Sequence, residues 1–212
     1  MKEAALQSES PAIGAVIFDF GNVLVRWDRE PLYRALIPDD ERRRFFLDQV
    51  CDFEFVHGLC KGRPWDETLA EKLAAHPEFD AELRAYRHRF QEMVIGSVPE
   101  GVALLERLTD AGIPCYGLTN WWGETFDEMR PRFRFIERLK YVAVSGHLKM
   151  AKPESAFYRH LLDVIGQPPE RCAFLDDYRP YVEAAQGLSI NAIHFKEDGT
   201  AESQLRALGL TF

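Results

Sequence analysis

No Cys-x-x-Cys pair occurs in this chain; its four cysteines, Cys51, Cys60, Cys115 and Cys172, lie far apart. That excludes a compact zinc cage and a dithiol redox motif. They are expected as reduced, mostly buried thiols of a cytoplasmic protein. Nowhere does an apolar run approach the roughly 18 residues of a membrane span, so no membrane partner is expected. Basic residues are in deficit, 26 Lys and Arg against 34 Asp and Glu, for a formal charge of −8. Without a basic face to meet phosphates, nucleic acid is excluded as a sequence-independent partner. The opening residues MKEAALQSES carry charges and no apolar h-region. No secretory leader is expected there, and residues 1–10 are expected to be disordered. Repeats and low-complexity tracts are absent too. What is present is core material: 46% hydrophobic and 12% aromatic residues over 212 positions. This is enough for one domain with an insertion, and it excludes general disorder.

Five short runs rich in Val, Ile and Phe, at 13–20, 114–119, 141–145, 172–176 and 190–195, read as strands. Their near-continuous apolarity suits parallel strands covered on both faces. Helical patterns at 99–111, 153–165, 179–186 and 203–208 end at or just before glycine. The alternation predicts an α/β fold, a doubly wound Rossmann-like parallel sheet. After the first strand about 70 residues pass before the next such unit, far beyond a normal βα connection. That stretch is charged and helix-patterned, with candidate helices at 30–37, 39–50, 64–75 and 78–94. It reads as a small helical cap over residues 27–97, inserted into a core formed by 11–26 and 98–212.

Most of the strands end in a polar residue: Asp19, Thr119-Asn120, Ser145 and Asp176-Asp177. Ligands of open α/β sheets bind outside the carboxyl ends of the strands, so these side chains are expected in one crevice. Lys152, just before Pro153, is expected to open a helix and point there as well. Carboxylates from two strand ends make an all-oxygen cage suited to Mg²⁺. With the metal and Lys152 neutralising a phosphoryl group, Thr119 and backbone N–H groups can hydrogen-bond its oxygens. One carboxylate can then attack phosphorus. Asp19 stands out among the acids because it interrupts a buried apolar strand, where an unpaired charge is expensive.

F-D-F-G-N-V-L-V at 18–25, L-T-N at 118–120, A-K-P at 151–153 and F-L-D-D at 174–177 resemble, in order and spacing, the four motifs of the haloacid dehalogenase superfamily. The insertion resembles the helical C1-type cap of its phosphoglycolate and sugar-phosphate phosphatases. The G-N-V form of the first motif resembles α-D-glucose-1-phosphate phosphatase-like members. The resemblance implies Asp19 as nucleophile and metal ligand, with Gly21 offering its backbone carbonyl to Mg²⁺. It also implies that Gly21 and Asn22 border the substrate, that Thr119 and Asn120 bind the phosphoryl group and that Lys152 neutralises it. Asp176 or Asp177 would complete the metal site, with Asp177 favoured as the direct ligand. The implied partner is a small phosphorylated metabolite, for a monomer or homodimer.

Two departures bear on activity. Gly21 stands where most phosphatases of the family carry a general acid, whose loss typically costs about 10²–10⁴-fold in rate. Tyr178 stands where Ser or Asn is usual. Two other readings therefore stay open: a metal-independent 2-haloacid dehalogenase using Asp19, and a non-catalytic protein that binds phosphate or metal. The acid pair weighs against the dehalogenase, because without a metal it repels itself and a substrate carboxylate. Asp28 is a candidate substitute acid, with a hinge or capping role set against that. Trp121-Trp122 would either wall the crevice or pack in the core. His57, His76 and His88 are expected at the cap surface, and the arginines at 42–44 and 84–89 on solvated helix faces. His147 and Lys149 flank the third motif without an assigned role.

Overall fold

The structure, a computed structural model, describes residues 12–212; the disorder expected at 1–10 lies outside them. Its strands are β1 (Ala15–Phe18), β2 (Val25–Trp27), β3 (Val94–Ser97), β4 (Cys115–Thr119), β5 (Val142–Val144), β6 (Cys172–Asp176) and β7 (Asn191–His194). Five of them form one sheet in the order β5-β4-β1-β6-β7. Every pair in it is parallel. The sheet is covered on both faces, as the unbroken apolar runs require. Val16 and Phe18 of β1 join one apolar cluster and Ala15 and Ile17 the other, following the two-residue period of a strand.

The helices are α1 (Glu30–Leu36), α2 (Asp40–Phe45), α3 (Phe53–Cys60), α4 (Trp65–Ala75), α5 (Asp80–His88), α6 (Pro99–Asp110), α7 (Gly123–Met129), α8 (Ser145–Leu148), α9 (Ser155–Ile165), α10 (Arg179–Gln186) and α11 (Thr200–Ala207). The first five make a helical layer between β2 and β3. One apolar cluster runs from Val16 and Phe18 of the sheet into this layer through Phe55, Leu59 and Tyr86. Trp65 of α4 stacks on Trp122 at 5.6 Å, and Arg87 of α5 pairs with Glu128 of α7 at 2.7 Å. None of the described helices is long and apolar enough to cross a membrane.

Several expectations are corrected. The helix expected at 39–50 gives way after Phe45 to a π-helical turn over Phe46–Val50. The one expected at 78–94 ends at His88, and Val94 instead opens β3, which pairs antiparallel with β2. Both crossings between the sheet and the helical layer are thus one two-stranded ribbon, too short and irregular to show as alternation. Helix α9 begins at Ser155, so Lys152 lies in the loop before it and opens no helix. The last helix starts at Thr200 rather than 203. Helices α3 and α7 have no counterpart in the expected pattern. Among the arginines at 42–44, Arg43 is buried, paired with Glu30 at 2.9 Å and with Asp40 at 2.5 Å. Its neighbours Arg42 and Arg44 are exposed as expected. All four cysteines are free and buried.

The first turn of α6 lies against the loop that follows β1. A Cβ on Gly101 would sit 1.7 Å from the carbonyl oxygen of Val23, a backbone atom that cannot swing away. Gly101→Ala is expected to cost about 3 kcal/mol by overpacking, lowering Tm by roughly 6–12 °C in a chain of this size. A thermal melt checks it; an unchanged midpoint would contradict the close packing.

Candidate active site

From β1 the chain runs to β4 on one side, then returns through β6 on the other. The carboxyl end of β1 is therefore the place where the strand order reverses, and where an open α/β sheet has its crevice. Asp19 sits there, one residue past β1, its N–H donating to Leu175 O of β6 at 2.9 Å. Asp19 Oδ1 accepts from the N–H of Phe20 at 2.6 Å and faces Lys152 Nζ at 2.8 Å. Lys152 Nζ also donates to Asp176 Oδ2 at 2.6 Å. The lysine is fully buried, its ammonium 4.9 Å from the Tyr181 ring centre.

Asn120 holds that lysine in place from behind. Its Oδ1 accepts from Lys152 N–H at 2.9 Å, while its Nδ2 donates to Lys152 O at 3.0 Å and to the Tyr181 hydroxyl at 3.1 Å. Both amide hydrogens are engaged, so Asn120 acts on the lysine's backbone in this arrangement. Thr119, at the end of β4, is buried, and its hydroxyl has no hydrogen-bond partner among the described residues. Asp176 Oδ1 accepts from Tyr178 N–H at 2.8 Å, and Asp177 Oδ2 from Asn22 Nδ2 at 3.3 Å. Tyr178 serves that turn through its backbone, while its side chain is exposed. Asn22 takes a positive φ of 50°, which asparagine tolerates.

Asp19, Asp176 and Asp177 bring ligand oxygens within 4.8 Å of one another. Burial, above all, raises Asp19; Lys152 works against that, and Asp176 and Asp177 push it higher. Asp177 is raised by burial and then by Asp176. For Lys152 burial favours the neutral form, but Asp176 and Asp19 outweigh it and hold the ammonium above its ordinary range. Three carboxylates share one ammonium, so the cluster carries excess negative charge that a cation would relieve. All donors are hard oxygens, as a magnesium-type ion prefers. The residues present therefore fit such an ion.

Over these groups lies a cavity of about 340 Å³, walled by Asp19, Gly21, Asn120, Lys152 and Asp177 from the sheet side and by Arg29, Phe53 and His57 from the helical layer. A smaller chamber of about 100 Å³ adjoins it, with Gly21, Trp27, Val56, Cys60 and Asn120 lining both. Of the expected strand-end residues, Asp176 lies beneath these walls, bonded to Lys152, and Ser145 stays out of the site. Its buried hydroxyl donates to Trp121 O and accepts from Trp121 N–H at 2.9 Å, locking the loop after β4. Asp28 is exposed and accepts from Glu30 N–H at the start of α1, away from the cavity. His57, expected at the surface, is half-buried in the cavity wall, and burial lowers its pKa. Arg29, Val56, Cys60, Tyr86, Phe90 and Tyr181 also line the site. Periodicity shows that the layer is helical but not which helix face covers the crevice, so most of these were invisible in the sequence.

A carboxylate at the switch point of a doubly wound sheet, opposite a buried ammonium and under a helical layer, is the site arrangement of an α/β hydrolase. The family model of haloacid dehalogenase-like hydrolases matches residues 13–187, and the chain belongs to that family. It is 23% identical over 198 residues to drimenol cyclase drtB of Aspergillus calidoustus, covering 91% of this chain but 36% of that protein. The chain thus spans about a third of the length of that relative. It is also 23% identical over 194 residues to sesquiterpene phosphatase astK of Aspergillus oryzae, covering 92% of this chain and 95% of that one. Among solved structures it resembles HAD family enzyme bt-2542 of Bacteroides thetaiotaomicron, solved in complex with magnesium and inorganic phosphate. The TM-score is 0.66 at 21% identity, over 90% of this chain and 98% of the other.

Proposed function

We propose that this hydrolase is a Mg²⁺-dependent phosphatase that cleaves a small phosphorylated metabolite through an aspartyl-phosphate at Asp19. The observation that carries the reading is the fully buried Lys152 ammonium held between Asp19 and Asp176, with Asp177 beside them. An anionic phosphoryl group needs that ammonium and a cation. A 2-haloacid needs neither a cation nor the acid pair, which would repel its carboxylate. The likeness to a phosphatase and to an enzyme crystallised with magnesium and phosphate supports the same choice.

Asp19 and Asp177 would hold the metal, together with the carbonyl of Gly21, to which no N–H donates among the described residues. Asp176 has its two oxygens engaged by Lys152 and Tyr178, which suits a role through water. When bound, Mg²⁺ supplies charge neutralisation to the cluster and the phosphoryl oxygens. Asp19 Oδ1 is engaged by Lys152 and Phe20, so Oδ2 is the oxygen that attacks phosphorus. The Lys152 ammonium and the Thr119 hydroxyl stabilise the equatorial oxygens. The bond from phosphorus to the leaving oxygen breaks, and with Gly21 offering no acid that oxygen takes its proton from a water molecule and leaves as an alcohol. Water then attacks the aspartyl-phosphate, returning Asp19 and inorganic phosphate. Residues 27–97 act as the cap that closes over the cavity and excludes bulk water.

Phosphate release from a panel of phosphorylated metabolites, with Mg²⁺ and with chelator, checks this. Release that needs Mg²⁺ is the expected result. Halide release from 2-haloacids in chelator, with no phosphate release, would replace the reading by the dehalogenase.

A further inference from the structure

We infer that the part of the substrate leaving with the bridging oxygen is apolar: an alkyl or alkenyl phosphomonoester that places its first carbons in the chamber beside Asp19. The inference rests on the phosphatase reading and specifies its substrate class. It starts from the chamber's walls, where Trp27, Val56, Tyr86, Phe90, Trp121 and Trp122 crowd together. The Thr119 and Tyr86 hydroxyls also border it, but the other polar groups are engaged. The Trp121 indole N–H donates to Thr125 Oγ1 at 3.1 Å, and both Asn120 amide hydrogens serve Lys152 and Tyr181. Most sugar hydroxyls would leave water for a wall of aromatic and aliphatic carbon, which penalises them.

The chamber also sits at the right place. Gly21 lines both it and the cavity that holds Asp19 and Lys152. A Cβ on Gly21 would meet only Asp19 Oδ2, at 3.9 Å, so a side chain there would occupy the boundary between the two spaces. With glycine at this position, a chain attached to a phosphoryl group over Asp19 can enter the chamber. Its size sets a limit. An apolar cavity of about 150 Å³ holds benzene, so one of about 100 Å³ takes about four or five carbons.

The test is kcat/KM for Mg²⁺-dependent phosphate release along n-alkyl phosphates from methyl to octyl, whose leaving groups beyond methyl have nearly constant basicity. A rise of about fourfold per buried methylene is expected, breaking off near four or five carbons. Glucose 1-phosphate and glycerol 3-phosphate should fall more than about tenfold below the butyl ester. A flat or falling series, or a preference for the sugar ester, would overturn the apolar chamber while leaving the phosphatase standing. No release from any member would instead sink the phosphatase reading. Calorimetric titration with n-alkylphosphonates would then judge the chamber, with flat affinity along the series overturning it.

Val56 lines both spaces from α3 and supplies a second check. Val56→Phe should move the break to shorter chains, and Val56→Ala to longer ones. If the larger side chain prevents folding, the alanine variant carries the comparison. A break at the same length in a folded variant would overturn the assignment.

Discussion

Asp19→Asn is expected to lose phosphatase turnover by about 10⁴-fold or more, because the attacking oxygen is replaced by an amide. The same variant should be as stable as the parent or more so, which separates a lost nucleophile from a lost fold. The reason is the cost of the charge. In the metal-free folded chain burial pushes the Asp19 carboxyl up to about 8, from an unfolded value near 3.8. Between those values the native state binds more protons than the unfolded one, so Asp19's contribution to stability falls as pH rises. Asparagine removes that dependence. Melting curves in chelator should therefore show the variant gaining on the parent from about pH 4 to pH 8. With saturating Mg²⁺ the gap should shrink, because the cation lowers the Asp19 pKa. A gap that stays constant with pH would contradict the buried, charge-crowded setting of Asp19, and an active variant would remove it as nucleophile.

Lys152→Met carries the largest expected effect on stability. The lysine is completely buried, 2.8 Å from Asp19 and 2.6 Å from Asp176. Methionine fills its volume but leaves two carboxylates facing each other without a counter-charge. Breaking a buried pair in this way costs about 3–5 kcal/mol, or a Tm lower by roughly 6–20 °C. Turnover should fall as well, since the ammonium that neutralises the phosphoryl group is gone. The pH response has a definite sign. Without the ammonium the Asp19 carboxyl, already raised by burial, rises further, so stability should recover as pH is lowered toward the ordinary carboxylate range. Mg²⁺ should restore part of the loss at neutral pH. Urea titrations at two pH values, with and without the ion, read all of this. A variant that loses activity but keeps its full stability at neutral pH would show that the pair is not buried as described.

The sheet was legible because its signal is local. Strands buried on both faces must be short and almost wholly apolar, so β1, β4, β5, β6 and β7 announce themselves, as do α6, α9 and α10 between them. Asp19, Thr119 and Asp176-Asp177 were legible for the same reason, as polar residues ending apolar runs. Lys152 could be tied to them only through the motif that holds it, since a lone lysine before a proline carries no such message. The β2–β3 ribbon escaped notice because its strands are half-exposed and lack the unbroken apolar run that marks the sheet. Helices α3 and α7 were masked by glycine, which sits inside α3 at Gly58 and opens α7 at Gly123.

Composition and local patterning were thus sufficient for the α/β architecture, the helical insertion and the acids at the strand ends, because burial and backbone geometry act on neighbours in the chain. Packing alone brought Lys152 between Asp19 and Asp176, turned Asn120 toward the lysine's backbone, drew Ser145 away to the Trp121 loop and set His57 in the cavity wall. Those outcomes depend on which faces of distant elements meet, and helix periodicity marks a buried face without naming what it is buried against. The apolar chamber belongs to the same class: Val56, Tyr86 and Phe90 come from the helical layer, Trp121 and Trp122 from the loop after β4, and they form a wall only where the fold closes them on one another.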